Sequence, residues 1–237
     1  MRVAIHQPNF VPWLGLFDRI ARVDRFVLFD HVQAMRGKSW FSRNRLLIGG
    51  EARWYTVPVE RAGQGLQKVS EVRIDPNGRF PERHLKTLSL EYGRHPHFDE
   101  TFELVAGVFR RGHERLADLN SDFVTTLSGA LGLSTGFVTS TELARTHPEL
   151  LEVAGNELVL RTCQAAGGDA YLSGDGCLDF IEPAAFEHEG VSFAFQAYDH
   201  PVYPQHGRGE FVSHLSVVDA LCNVGVAGVR HLVAGCP

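Results

Sequence analysis

Cysteine is scarce in this chain: there are four in 237 residues. They stand at Cys163, Cys177, Cys222 and Cys236, with no C-x-x-C pair. That scatter argues against a disulfide framework and reads as the reduced thiols of a cytoplasmic protein. Long apolar runs are missing too. No stretch approaches the ~20 residues that a membrane helix needs, and "RVAI" passes straight into a polar turn, as a buried first strand does and a signal peptide does not. There is no basic excess. Lys and Arg number 23 against 28 Asp and Glu, a net charge of −5, so nothing calls for a specific nucleic-acid partner. Neither G-x-G-x-x-G nor G-x-x-x-x-G-K-[ST] occurs, which leaves no glycine-rich phosphate loop. The twelve histidines form no H-E-x-x-H and no Cys/His zinc pair. The expectation is no metal and no cofactor.

What is present is an alternation of strand and helix. "RVAIHQ" and "RFVLFD" are short β-rich runs, and Leu14, Phe17, Ile20 and Ala21 lie between them at helical spacing. Strand, helix and strand in about 30 residues form a βαβ unit with parallel strands. "RNRLLI" and "RWYTVPV" flank "GGE" as a β-hairpin. "KVSEVRID" and "GFVTSTEL" read as strands, and residues 81 to about 132 as a helical insertion with a break near Gly112. "PELLEVAGNELVLRTCQAAGG" reads as one helix, "AYLSG" and "VSFAFQAY" as strands, and "SHLSVVDALCNVG" as a last helix with Ser213 as its N-cap. The fold class is therefore α/β, with a mainly parallel sheet flanked by helices, in a single domain over 1–237. Asp219, between Val218 and Ala220 in the last helix, is an unexpected acid.

Four blocks carry a specific pattern: "AIHQPNFVPWLGLFDRIARVDRFVLFDHVQ", "SWFSRNRLL" with "TVPV", "CQAAGGDAYLSGDGCLDFI" and "FQAYDHPVYPQHGRGEFVSHLSVVDALCNVG". In this order they resemble the WbqC-like family of bacterial proteins across nearly the whole chain, with Phe80 standing where the pattern leads one to expect tryptophan. The resemblance implies an accessory enzyme of surface-polysaccharide or natural-product biosynthesis. The activity it implies is transfer of a small aminoacyl group, such as glycyl, to an amine.

The residues themselves point to the carboxyl ends of the strands, where open α/β sheets bind ligands. His6, Gln7, Asn9 and Trp13 form a polar and aromatic turn after the first strand, suited to holding an anion or a ring against the following helix N-terminus. Asp30, His31 and Gln33 end the second strand. His6, Asp30 and His31 are candidates for proton transfer, since histidine titrates near neutrality. Lys38, Arg43, Asn44 and Arg45 follow, with cations able to grip a donor phosphate. Tyr171, Ser173 and Gly174 end a later strand, where backbone N–H groups would steady an oxyanion. Tyr203, Gln205 and His214 lie on a long loop that would close over the acceptor. Cys163, at helical spacing with Leu158, Val159 and Thr162, reads as a core residue and not as a nucleophile. The expected substrate is a small-molecule amine, with an acyl carrier protein or aminoacyl donor as partner and no membrane. Two alternatives stand: a nucleotide-dependent ligase or nucleotidylyltransferase, and a non-catalytic small-molecule or carrier-binding protein. The site as drawn, in all three readings, hangs on His6, Asp30 and Tyr171 surrounding one pocket.

Overall fold

The computed structural model describes residues 1–35, 39–60, 65–178, 181–207 and 210–233. In chain order the elements are β1 (Arg2–His6), α1 (Leu14–Ala21), β2 (Arg25–Leu28), β3 (Arg43–Ile48), β4 (Glu51–Thr56), α2 (Glu82–Tyr92), α3 (Phe98–Arg110), α4 (Leu116–Ala130), β5 (Gly136–Thr139), α5 (Ser140–Thr146), α6 (Gly155–Ala165), β6 (Ala170–Ser173), α7 (Pro183–His188), β7 (Ser192–Phe195) and α8 (Val217–Leu232). The fold is α/β: a parallel five-stranded sheet flanked by helices, plus an antiparallel hairpin of β3 and β4. Gly49 and Gly50 turn the hairpin with φ of 62° and 78°, the positive values that a tight two-residue turn requires.

Sheet order is β5-β2-β1-β6-β7, and every pair is parallel. From β1 the chain winds outward through β2 and β5, then returns to lay β6 on the other side of β1. The gap between β1 and β6 is thus the topological switch point, where helices leave a crevice at the strand carboxyl ends. β1 and β2 are buried almost throughout, as parallel strands covered on both faces are.

The period of two sorts the side chains. Ala4, Phe26, Leu28 and Leu172 face one core, shared with α1, α2, α3, α4 and α8. Val3, Ile5, Val27 and Tyr171 face another, shared with α5, α6 and α7. The helices of the 81–132 region therefore complete the main core, joining Tyr92, Phe109 and Phe123 to Phe10 and Phe17. α1 is buried from Leu14 through Ile20: it packs against α8 and shares the main core with Ala4, Phe26 and Leu28 of the sheet.

Several local expectations are corrected. "KVSEVRID" is no strand; it forms a 3-10 turn at Val69–Glu71 and isolated bridges at Lys68, Arg73 and Ile74. "GFVTSTEL" is a strand only to Thr139. There Thr139 and Glu142 make a reciprocal capping box that starts α5, a strong helix-start signal. "PELL" is a separate 3-10 turn before α6. The N-cap of α8 is Ser216, whose hydroxyl accepts from the Val218 N–H, and not Ser213. α7, opened by Pro183, has no counterpart among the expected elements. Among the described residues no helix is long and apolar enough to cross a membrane.

Candidate functional site

β1 ends at His6, and the turn that follows is braced from three directions. Asn44 donates through Nδ2 to the carbonyls of Phe10 and Val11, at 3.2 and 2.9 Å. Asn120 donates to the carbonyls of Pro8 and Phe41. Ser216 donates through Oγ to the Val11 carbonyl at 2.6 Å. These contacts hold Val11 at a φ of 33°, a strained value for a β-branched residue that persists only where the surroundings over-determine it.

Among the described residues two cavities open at the strand ends. The first, about 360 Å³, occupies the switch point. His6, Asn9, Trp13, Arg19, Gly174 and His214 are among its walls. The His6 Nδ1 lies 2.7 Å from the Gln7 carbonyl. A carbonyl only accepts, so Nδ1 carries the hydrogen, and Nε2 is the nitrogen left with a lone pair. Burial, then the nearby Arg19 charge, lower the His6 pKa to about 3. The ring is neutral at physiological pH.

Trp13 forms an aromatic wall. Its indole stacks on His214 at a centroid distance of 5.3 Å and meets Tyr198 edge-on at 5.1 Å. It also lies over Gly15, whose missing Cβ makes room for it; a methyl there would sit 2.6 Å from the ring. The indole therefore packs over the first turn of α1. His214 has a φ of 59°. Its N–H donates to His200 Nε2, and its carbonyl accepts from Arg45 Nη2 at 3.0 Å.

The second cavity, about 650 Å³, opens where the ends of β1 and β2 face α6. Gln7, His31, Gln33 and Lys68 contribute polar groups, and Leu150, Val153, Leu158 and Ile181 a largely apolar wall. His31 is buried, neither ring nitrogen has a hydrogen-bond partner, and burial lowers its pKa. His6 and Gln7, adjacent in sequence, thus line different cavities.

The remaining predicted residues sit elsewhere. The Asp30 carboxylate accepts from Ser140 Oγ and the Thr141 N–H at 3.0 and 2.8 Å, so it anchors the start of α5. Tyr171 is in the second core, stacked on Phe186 at 5.1 Å. Its position opposite Val3 in the ladder turns it away from the crevice. The pocket shared by His6, Asp30 and Tyr171 does not form; that arrangement of the site is overturned, and of the three only His6 lines one of the two cavities. Ser173 is fully buried, its hydroxyl bonded to the Gly174 carbonyl. Arg43 packs its guanidinium 3.7 Å from the Trp54 ring centre. Tyr203 and Gln205 spend their polar groups on Asp219, at 2.8 and 3.1 Å. Tyr92 donates to the same carboxylate at 2.9 Å. Lys38 falls outside the described residues. Among the described residues no group of three or more His, Cys, Asp or Glu is placed to hold a metal ion.

Sequence reasoning missed Arg19, Gln196 and Trp40, all on the first cavity. Arg19 is 5% exposed. Gln196 donates through Nε2 to the Gly15 carbonyl and to Asp18, both at 2.7 Å. The available signal was "FDRI": two charged residues on a helix otherwise apolar around most of its girth.

A model of the WbqC-like protein family matches residues 7–231 of the chain. The chain is 30% identical over 232 residues to an uncharacterized protein of Mycobacterium tuberculosis, Rv1507c, covering 98% of this chain and 97% of that one. No solved structure matches the chain.

Proposed function

The chain belongs to the WbqC-like protein family, and from that premise we propose that it is an amide-forming transferase. It moves an acyl or aminoacyl group, glycyl among the candidates, from an activated carrier to a small-molecule amine in surface-polysaccharide or natural-product biosynthesis. One observation carries the reading: a neutral His6, its tautomer fixed by the Gln7 carbonyl, on a cavity at the switch point of the sheet. The low pKa keeps the lone pair of Nε2 unprotonated throughout the neutral range, but a ring that does not titrate near neutrality is a weak base unless bound substrate stabilises its cation.

In the proposed step the amine nitrogen attacks the donor carbonyl carbon. The N–C bond forms, and His6 Nε2 takes the amine proton. The carbonyl's bond to the carrier sulfur or oxygen breaks, and the imidazolium returns the proton to that leaving group. A phosphate on the donor's arm meets Arg45 at the rim. Trp40 and Trp54, both exposed there, offer flat surfaces to the rest of the arm.

The test is direct. The protein is incubated with the N-acetylcysteamine thioester of glycine and a panel of amino sugars, and amide is followed by mass spectrometry. His6→Gln should lower kcat/KM by about 10²-fold or more. Undiminished turnover by the variant would remove His6 from the chemistry. Full complementation of a deletion strain by His6→Gln would favour a binding protein over a catalyst.

A nucleotide-dependent ligase has one observation in its favour. The order β5-β2-β1-β6-β7 is that of the doubly wound dinucleotide-binding fold without its last strand. Against it, the first turn has no glycine before Gly15, and the Trp13 ring covers that one. Stabilisation by ATP or a nucleotide sugar in a thermal-shift screen, with no response to thioesters, would reverse the ranking.

A further inference from the structure

Arg19 is a buried cation without a counter-ion in contact. It is 5% exposed, its Nε has no hydrogen-bond partner, and no ion pair reaches it among the described residues. The acids around it are engaged elsewhere. Asp18 accepts from Arg22 at 2.9 Å and from Gln196 at 2.7 Å. Asp175 accepts from the backbone N–H groups of Ala197 and Tyr198, at 3.0 and 3.1 Å. The guanidinium nevertheless lies on the first cavity and against Gly174, whose lack of a side chain leaves it room. Holding an unpaired charge out of water is costly, and natural proteins retain such a group where a partner arrives to compensate it.

We infer that Arg19 is the anchor of an oxyanion subsite, and that the ligand of this cavity carries a carboxylate or phosphate group that pairs with the guanidinium. A guanidinium presents a rigid fork of donors that matches either group. The inference rests on taking the switch-point cavity as the substrate site. It narrows the substrate class to compounds with an anionic group a few ångströms from the reacting centre. Pairing also acts on His6. An anion on Arg19 offsets one of the two causes that hold the imidazole's pKa down, and so makes His6 a better proton acceptor once substrate is bound.

The experiment reads binding without turnover, so it can fail while the transferase reading survives, and the reverse. The full chain and its Arg19→Met and Arg19→Lys variants are titrated with inorganic phosphate, acetate and malonate at constant ionic strength. Binding is followed by calorimetry, and His6 by NMR. The wild type should bind at least one of the anions, and the His6 titration should move to higher pH on binding. Arg19→Met should weaken that binding at least tenfold. Its melting temperature without anion should equal or exceed the wild type's, because a solvent-starved charge has been removed. Arg19→Lys should retain binding partly. Preference for phosphate over the carboxylates, or the reverse, identifies the group. Equal anion affinity in Arg19→Met would overturn the inference. So would a melting temperature for that variant well below the wild type's, the mark of a guanidinium already satisfied by the fold. Should Arg19→Met fail to fold, the His6 shift in the wild type decides, and its absence at saturating anion rejects the proposal.

Discussion

The Arg19 guanidinium rests on the bare Cα of Gly174: a methyl group added at Gly174 would overlap Arg19 Nη1. Gly174 has an ordinary extended backbone, so alanine there is not strained by its own conformation. The atom it would displace is the far end of a flexible side chain. Gly174→Ala should therefore cost about 1 kcal/mol of stability or less while moving the guanidinium, and anion binding in the cavity should fall severalfold. Urea unfolding and calorimetry on the same sample check both halves. Loss of stability without loss of binding would contradict the placement.

Asp219 ties the long loop to α8. It receives hydroxyls from Tyr92 and Tyr203 and an amide N–H from Gln205. Asp219→Ala leaves the two buried tyrosine hydroxyls without an acceptor, each worth about 1–3 kcal/mol, while Gln205 Nε2 keeps the Val212 carbonyl. Unfolding free energy should drop by roughly 3 kcal/mol or more, with Asp219→Asn milder. A drop below about 1 kcal/mol in the alanine variant would show that solvent replaces the carboxylate.

Stability should fall on acidification. In the folded protein His6 does not protonate until about pH 3 and His84 until about 4, in each case chiefly through burial. In the unfolded chain both take a proton near 6.5. Between these limits the unfolded state holds more protons, so stability declines as pH drops from about 6.5, by up to ~1.4 kcal/mol per pH unit for each group. His31, His95 and His200, also lowered, act in the same direction. Asp219, raised by burial, opposes them at the acid end. His84 sits among Phe10, Tyr55, Phe80 and Phe109 with neither ring nitrogen bonded. His84→Leu should therefore flatten the profile by about one proton, as denaturant titrations at pH 7.5, 6 and 5 would reveal.

Cys163 is fully buried, and burial pushes its thiol up to about 12. A thiol so held is not a nucleophile at neutral pH. Cys163→Ala should keep full transferase activity, and iodoacetamide should leave Cys163 unmodified in the native protein by mass spectrometry. Inactivation by either would reopen covalent catalysis.

The crevice was legible because β1 and β2 are apolar runs that stop abruptly at polar residues, and parallel pairing places those stops at one edge. Which polar residue faces which cavity was not legible. It depends on register: Tyr171 stands opposite Val3 and shares its face. Tyr203 and Gln205 looked like binding groups until their acceptor was located. The odd acid Asp219 was the clue, but only the folded loop brings the three together. "KVSEVRID" alternates as a strand does, yet among the described residues it makes only isolated bridges, to Gln33, Val59 and Arg115, and no ladder. "TSTE" carried a helix start that the preceding β-rich run obscured. Arg19 escaped because helical periodicity supposes one wet face, and α1 has almost none.

Placing β1 in the middle of the sheet has a consequence for biosynthesis. One wall of the crevice leaves the ribosome with His6, while the opposing wall at Gly174 follows more than a hundred and fifty codons later. At ordinary translation speeds of about 5–20 residues per second, that delay is roughly 10 to 30 s. During it the nascent strand has an unsatisfied edge, so this chain should depend on holding chaperones more than a protein whose earliest strand is peripheral.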